Sequence, residues 1–139
     1  MEIACGPLPR TAEIWRKHEQ NADPERAYLY AGETTVTLRG TGKGGRNQEM
    51  ALAAAVALRG REHICFLSVG SDGTDGPTDA AGGIADGDTC EKMTRAGVSP
   101  EEALGNNDSY AALKAAGDLI VTGPTGTNVN DLTVVLTEA

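Results

Sequence analysis

Apolar positions fall into short stretches along the chain, and glycine-rich polar segments divide them. Residues 27–32 (AYLYAG) and 34–40 (TTVTLRG) are rich in Tyr, Thr and Val, side chains that suit a pleated, half-buried surface. They predict two early strands. Residues 48–59 are Ala- and Leu-rich without a breaker, and Gly60 stands where a left-handed C-terminal cap belongs, so a helix is predicted there. The nearly continuous apolar run HICFLSVG (63–70) has the pattern of a strand buried on both faces. Residues 88–96 open with Asp88 and Glu91 in capping-box spacing and close at Gly97, which predicts a second helix. Ser99-Pro100-Glu101-Glu102 repeats that logic with a cap, a first-turn proline and a glutamate at the third position. A further helix over 109–116 is introduced by Asn107 or Asp108 and closed by Gly117. DLIVTG (118–123) and DLTVVLTE (131–138) predict two final strands.

Strands alternating with helices place the chain in the α/β class. The expected architecture is a three-layer sandwich with a mixed, mostly parallel sheet, the adjacent early strands making it mixed. Residues 1–25 read as a polar lead-in with a short helix from Thr11 to Glu19, anchored to the body by Trp15. Residues 26–139 read as a single α/β domain. No internal repeat is visible.

Composition narrows this picture. A 139-residue chain fits one domain, and with aromatics at 4% its core must be built from Ala, Val, Leu and Ile. The net charge of −8 offers no basic face for a polyanion, so no nucleic-acid partner is expected. The longest apolar-rich stretch, 50–58, is too short to span a bilayer, and the N-terminus lacks the order of a signal peptide. Cys5, Cys65 and Cys90 are odd in number and have no metal-like spacing, and Cys65 reads as a buried small hydrophobe. A reducing, cytoplasmic setting is expected.

Candidate chemistry lies in three loops. The first, GTGKGGRNQE (40–49), has the GxGxxG spacing of a dinucleotide turn ahead of a helix. Its backbone N–H groups and the helix N-terminus would attract an anion. Lys43 and Arg46 make it unusually cationic, and Arg46 offers a two-pronged fork for a carboxylate or phosphoryl group. A Walker loop is excluded because glycine follows Lys43. A tight turn with two solvated cations, Asn47 capping the helix, accounts for the same residues. In the second loop, GSDGTDGPTD, Asp72, Asp75 and Asp79 are close enough to repel. That suits proton abstraction from a hydroxyl or magnesium binding, or simply an Asx-turn surface loop. The third, TGPTGTNVND, is rich in hydroxyls and amides that can donate to anionic oxygens, or can satisfy a wide turn. Glu33 could line the same site or be a solvated strand-edge residue. His18 and His63 have no partner at ligand spacing.

In this order the segments resemble the MOFRL domain, the C-terminal domain of the type 2 glycerate kinases. The matching runs are GETTV (32–36), GKGGRNQE (42–49), SDGTDGPTDAAG (71–82), NNDSY (106–110) and TGPTGTNVNDL (122–132). Family members often carry GGET where this chain has Ala31 to Thr34, and threonine at Ser71, neither change removing a reactive group. The resemblance implies ATP-dependent phosphorylation of D-glycerate to 2-phosphoglycerate, with ATP and Mg2+ in the complete enzyme and no cofactor in the isolated domain. It implies a larger Rossmann-like N-terminal domain, in cis or as a separate chain, that supplies a catalytic lysine. This chain would then hold one wall of the cleft and be inactive alone. Carried over, Arg46, Asp72 and Asp75 would be catalytic. Glu33, Lys43, Gly44, Gly45, Asn47, Thr125, Thr127 and Asn128 would bind substrate, and no residue is assigned to a metal.

Two other functions fit parts of the sequence. An NAD(P)-dependent hydroxypyruvate reductase would use the GxGxxG turn, but no acidic residue ends a following strand in the ribose-binding place. A stand-alone, non-catalytic module that binds a small carboxylate would use the loops without a partner domain.

Overall fold

The computed structural model describes residues 3–5 and 26–137. The expected helix at Thr11–Glu19 and the position of Trp15 lie outside them. The described elements are β1 (Ile3–Cys5), β2 (Arg26–Gly32), α1 (Arg46–Leu58), β3 (Ile64–Gly70), β4 (Gly82–Asp86), α2 (Thr89–Arg95), α3 (Pro100–Gly105), α4 (Ser109–Ala116), β5 (Leu119–Ile120) and β6 (Asp131–Thr137). The caps follow the chemistry of the termini. Gly60, Gly97 and Gly117 sit at positive φ just beyond helices, and the Ser99 hydroxyl accepts from Glu102 N–H. Asp88, by contrast, makes no side-chain cap bond.

The sheet runs β1-β2-β6-β3-β4-β5. β1 and β2 are parallel, and every other neighbouring pair is antiparallel, which overturns the expected mostly parallel sheet. The reason lies in β6. The last long strand inserts between β2 and β3 and runs against both, so β2 and β3 share a direction without being neighbours. Helical segments between strands therefore did not imply parallel neighbours. The helix α1 does bridge two co-directional strands, but over an intervening third.

The third layer is also missing among the described residues: α1 packs on β3 and β4, and the other helices pack around it on that same face. Burial alternates along the strands accordingly. Phe66 and Ser68 of β3, and Asp131, Thr133 and Val135 of β6, point into the helical layer, whereas Leu132 and Leu136 are exposed on the other face. Cys65 shares that second face and is only half-buried, not the core residue expected. The core joins Leu52 and Leu58 of α1 to Phe66, Ala85, Met93, Leu113 and Val135, all essentially inaccessible. Burying a side chain of the size of Leu or Phe contributes about 2 kcal/mol, so these few residues fasten the helical layer to the sheet.

Two further expectations fail locally. Residues 34–40 form no strand, and GGIAD at 82–86, not assigned from sequence, does. The helix begins at Arg46, with Gly45 as its cap residue, so Asn47 lies inside the first turn and does not cap it.

Candidate functional site

Antiparallel insertion of β6 brings the three loops together. Gly32, at the end of β2, and Gly70, at the end of β3, both pair with Asp131, the first residue of β6. Loop 33–45 leaves β2, loop 71–81 leaves β3 and loop 121–130 enters β6, so all three meet at one end of the sheet.

Arg46 and Asp131 form its centre. Arg46 Nε donates to Asp131 Oδ2 at 2.6 Å and a terminal nitrogen donates to Oδ1 at 2.9 Å, a two-pronged pair. The Asp131 side chain is 1% exposed and that of Arg46 is 36% exposed, so the carboxylate is an internal strut and the guanidinium reaches the surface. The other terminal nitrogen of Arg46 lies 3.4 Å from the exposed carboxylate of Glu33. Hydrogen bonding to Asp131 raises the Arg46 pKa and keeps its charge fixed. Arg46 and Glu33, both candidates from sequence, are thus brought together. The role of Asp131 was not read from sequence, because it closes a polar motif and opens an apolar strand.

Asp75 occupies the N-terminus of α1. Its Oδ1 accepts from Asn47 N–H and Nδ2 at 3.1 Å each, and its Oδ2 accepts from Gln48 N–H and Nε2 at 2.9 Å each. A protein carboxylate therefore fills the place where a dinucleotide pyrophosphate would meet the helix dipole. Gly45 permits this approach: a Cβ there would stand 2.3 Å from Asp75 Cγ. Beneath, the Ser68 hydroxyl donates to Asn47 Oδ1 at 2.7 Å and shares a 3.1 Å bond with Thr133, tying the helix start to the sheet. Asn47 and Asp75 are buried members of this network.

Five consecutive N–H groups at the start of the glycine loop are bound to residues 106–108. Arg39 and Gly40 donate to Asn107 Oδ1 (2.6 and 3.0 Å), Thr41 to Asn106 Oδ1, Gly42 to Asn106 O and Lys43 to Asp108 Oδ1. That is why residues 34–40 make no ladder: at least the end of the segment is paired to α4's approach. The Lys43 ammonium lies 4.9 Å from the centre of the Tyr110 ring, whose hydroxyl donates to Asp79 at 2.8 Å. A Cβ on Gly44 would stand 2.0 Å from Ser109 Oγ, so this glycine too serves loop packing.

The third loop docks on the second. Thr125 Oγ1 donates to the Ser71 carbonyl, its N–H to the Asp72 carbonyl, and Val129 N–H donates to Ser71 Oγ at 2.8 Å. Asn128 Oδ1 accepts from Asn130 N–H, and Thr127 N–H faces Thr125 Oγ1 at 3.5 Å. Asp72, half-exposed, receives Thr74 N–H on Oδ1. Among the described residues no group of three or more His, Cys, Asp or Glu can hold a metal ion. No helix among them is long and apolar enough to cross a membrane.

The fold and loops define an α/β domain whose sheet carries helices on one face and a glycine-rich polar site at one end. The MOFRL family model matches residues 26–131, and the chain belongs to that family. It is 58% identical over 110 residues to a D-glycerate 2-kinase of Thermotoga maritima, covering 79% of this chain and 26% of that one. With a glycerate 2-kinase of Pyrococcus horikoshii it shares 48% identity over 115 residues, 82% of this chain and 26% of that one. The crystal structure of the glycerate kinase from Thermotoga maritima superposes with a TM-score of 0.85 at 47% identity, covering 98% of this chain and 36% of that one. The chain thus spans about a quarter of the length of the curated relatives it matches.

Proposed function

We propose that residues 26–139 form a C-terminal domain of a glycerate 2-kinase and supply one wall of the cleft in which D-glycerate is phosphorylated by ATP at its 2-hydroxyl. The observation that carries this reading is the Arg46 guanidinium. It is held rigidly by Asp131 and presents its outer edge at the loop end, in a chain of the family whose relatives include named glycerate 2-kinases. A fixed, always-charged fork of this kind suits the glycerate carboxylate or the transferring phosphoryl oxygens.

Lys43 adds a second cation, and half-exposed Asp72 can accept a hydrogen bond from the glycerate hydroxyl. Asp75 acts behind them by fixing the start of α1, and Thr125 by fixing the third loop, which leaves the Asn128 amide and Thr127 near the opening. Glu33 closes the outer side of Arg46 and would be displaced or bridged by an incoming anion. A larger N-terminal domain would provide the opposite wall and a catalytic lysine. Leu38, Val121 and Val129 in the surrounding loops are exposed at 74%, 59% and 73%, which suits a surface that another domain covers.

ATP would bring Mg2+ on its phosphates. The described residues do not fit a protein-built magnesium site, because Asp75 is saturated by N–H donors, Glu33 is paired with Arg46, and no three carboxylate, His or Cys side chains among them converge. A cytoplasmic location accords with this chemistry. The dinucleotide alternative is disfavoured by the Asp75 carboxylate at the α1 N-terminus.

The test is Arg46→Ala in the complete enzyme, N-terminal domain included, assayed for ATP-dependent 2-phosphoglycerate formation. A loss on the order of 10³-fold in kcat/KM is expected, and an unchanged value removes Arg46 from catalysis.

A further inference from the structure

Three consecutive residues, Asn106, Asn107 and Asp108, accept the N–H groups of five consecutive residues, 39–43. Asn107 is the keystone. Its Oδ1 receives two of the five, and its Nδ2 is turned inward to Glu49 Oε2 at 3.4 Å. The residue sits at φ 55°, which asparagine tolerates and which aims its side chain back under the loop. Asn107 and Glu49 are both buried, so their amide and carboxyl are insulated from water that would otherwise compete for the loop N–H groups. The return contact comes from Tyr110 N–H, which donates to Lys43 O, while the Tyr110 ring lies under the Lys43 ammonium. Lys43 is exposed, and nothing in its own stem fixes it. Its direction is set by the backbone on either side and by that ring.

We infer that Asn107 is a positioning residue for the reaction: braced by Glu49, it locks the Arg39–Lys43 backbone and so aims the Lys43 ammonium at the anion that Arg46 also faces. The inference rests on the proposed function above and adds a residue that acts without touching substrate. It also explains why residues 39–43 of a glycine-rich loop spend their N–H groups on protein oxygens. The loop serves as a rigid mount for Lys43, and the cation, not the backbone, meets the ligand.

The experiment is a double-mutant cycle in the complete enzyme, joined to amide exchange. Asn107→Gly keeps the positive φ without strain and removes both the acceptor and the donor. Assayed well below its melting temperature, it should lose about 10²-fold in kcat/KM, the scale set by displacing a catalytic group by about 1 Å. If Asn107 acts through Lys43, adding Lys43→Ala to Asn107→Gly should cost no more than about threefold further, although Lys43→Ala alone costs tenfold or more. In Asn107→Gly the Arg39 and Gly40 amides should exchange at least tenfold faster. Losses that simply multiply, or wild-type kcat/KM in a folded variant, overturn the inference, as does unchanged protection at the two amides. If Asn107→Gly does not fold, Asn107→Asp takes its place in the same cycle. It keeps an acceptor oxygen and replaces only the inward donor, setting a carboxyl against Glu49. A wild-type enzyme that fails to phosphorylate glycerate overturns the proposed function. That failure is told apart from failure of the clamp because amide protection is read without substrate.

Discussion

Arg46 and Asp131 stand 85 residues apart in the chain and meet through two parallel N–H···O bonds at the end of the sheet. The strut is buried and the cation it carries is not, an arrangement that gives direction to an otherwise flexible side chain. Asp131→Asn should leave one acceptor for two donors and let the guanidinium swing. The expected result is a fall in kcat/KM of the complete enzyme of about 10- to 100-fold, with a stability loss of about 2 kcal/mol, between surface and fully buried ion-pair values. Steady-state kinetics paired with thermal melts would check it. Full activity in Asp131→Asn would mean that Arg46 does not need its strut.

Asp75 answers four donors with two oxygens in a buried position, so Asp75→Asn should be a stability lesion before it is a catalytic one. An amide NH2 would face N–H groups and leave buried donors unsatisfied, at about 3 kcal/mol. For a domain of this size that corresponds to a melting temperature lower by roughly 10 °C. Circular dichroism melts measure it directly, and a shift under about 2 °C would contradict the assigned bonding.

Gly73 couples the second and third loops. It has φ 86°, and a Cβ there would stand 2.0 Å from the Gly123 carbonyl oxygen. Gly97 has a similar φ of 80° but open space around it. Gly97→Ala should therefore cost only the backbone term of about 1 kcal/mol, and Gly73→Ala at least about 2 kcal/mol, with the Thr125 loop released. Denaturant unfolding of the two variants side by side separates strain from clash. Equal losses would show that the loops do not meet as described.

Burial raises the Glu49 pKa, partly offset by the neighbouring Ser109 and by the hydrogen bond from Asn107. A carboxyl whose folded pKa lies above its unfolded one contributes stability that is complete below the unfolded value, about 4.3, and is lost as pH rises through the folded value. Glu49→Gln cannot ionise, so its stability relative to wild type should improve as pH is raised from 4 towards neutrality. Melting temperatures across that range give the difference curve, and a flat difference would rule out a raised Glu49 pKa.

Much of this molecule was legible along the chain. Helix α1 announced itself by an Ala- and Leu-rich run without a breaker, and α2, α3 and α4 by capping residues and closing glycines such as Ser99, Gly97 and Gly117, because composition and caps are local properties. The runs that became β2, β3 and β6 were visible for the same reason. Residues 34–40 were misread because Thr- and Val-rich composition favours a strand only if a partner edge exists, and here Asn107 takes the Arg39 and Gly40 N–H groups. The short β4, GGIAD, was missed because its two glycines look like a turn. They fit in a strand because Gly83 lies under Leu113 and Ala51 and Gly82 against the Ser68 carbonyl.

The sequence by itself determined the residue chemistry: an aliphatic core, an α/β pattern, three polar loops, and the motifs that place the chain in the MOFRL family. Only the tertiary structure decided strand order and direction, since pairing joins residues far apart and β2 and β3 are joined into one sheet only through β6, the last strand of the chain. That insertion decided the site as well. It set Asp131 behind Arg46, and loop docking put Asp75 at the head of α1 and Asn107 beneath the glycine loop, because a buried charge or N–H group must find its partner wherever the fold brings one.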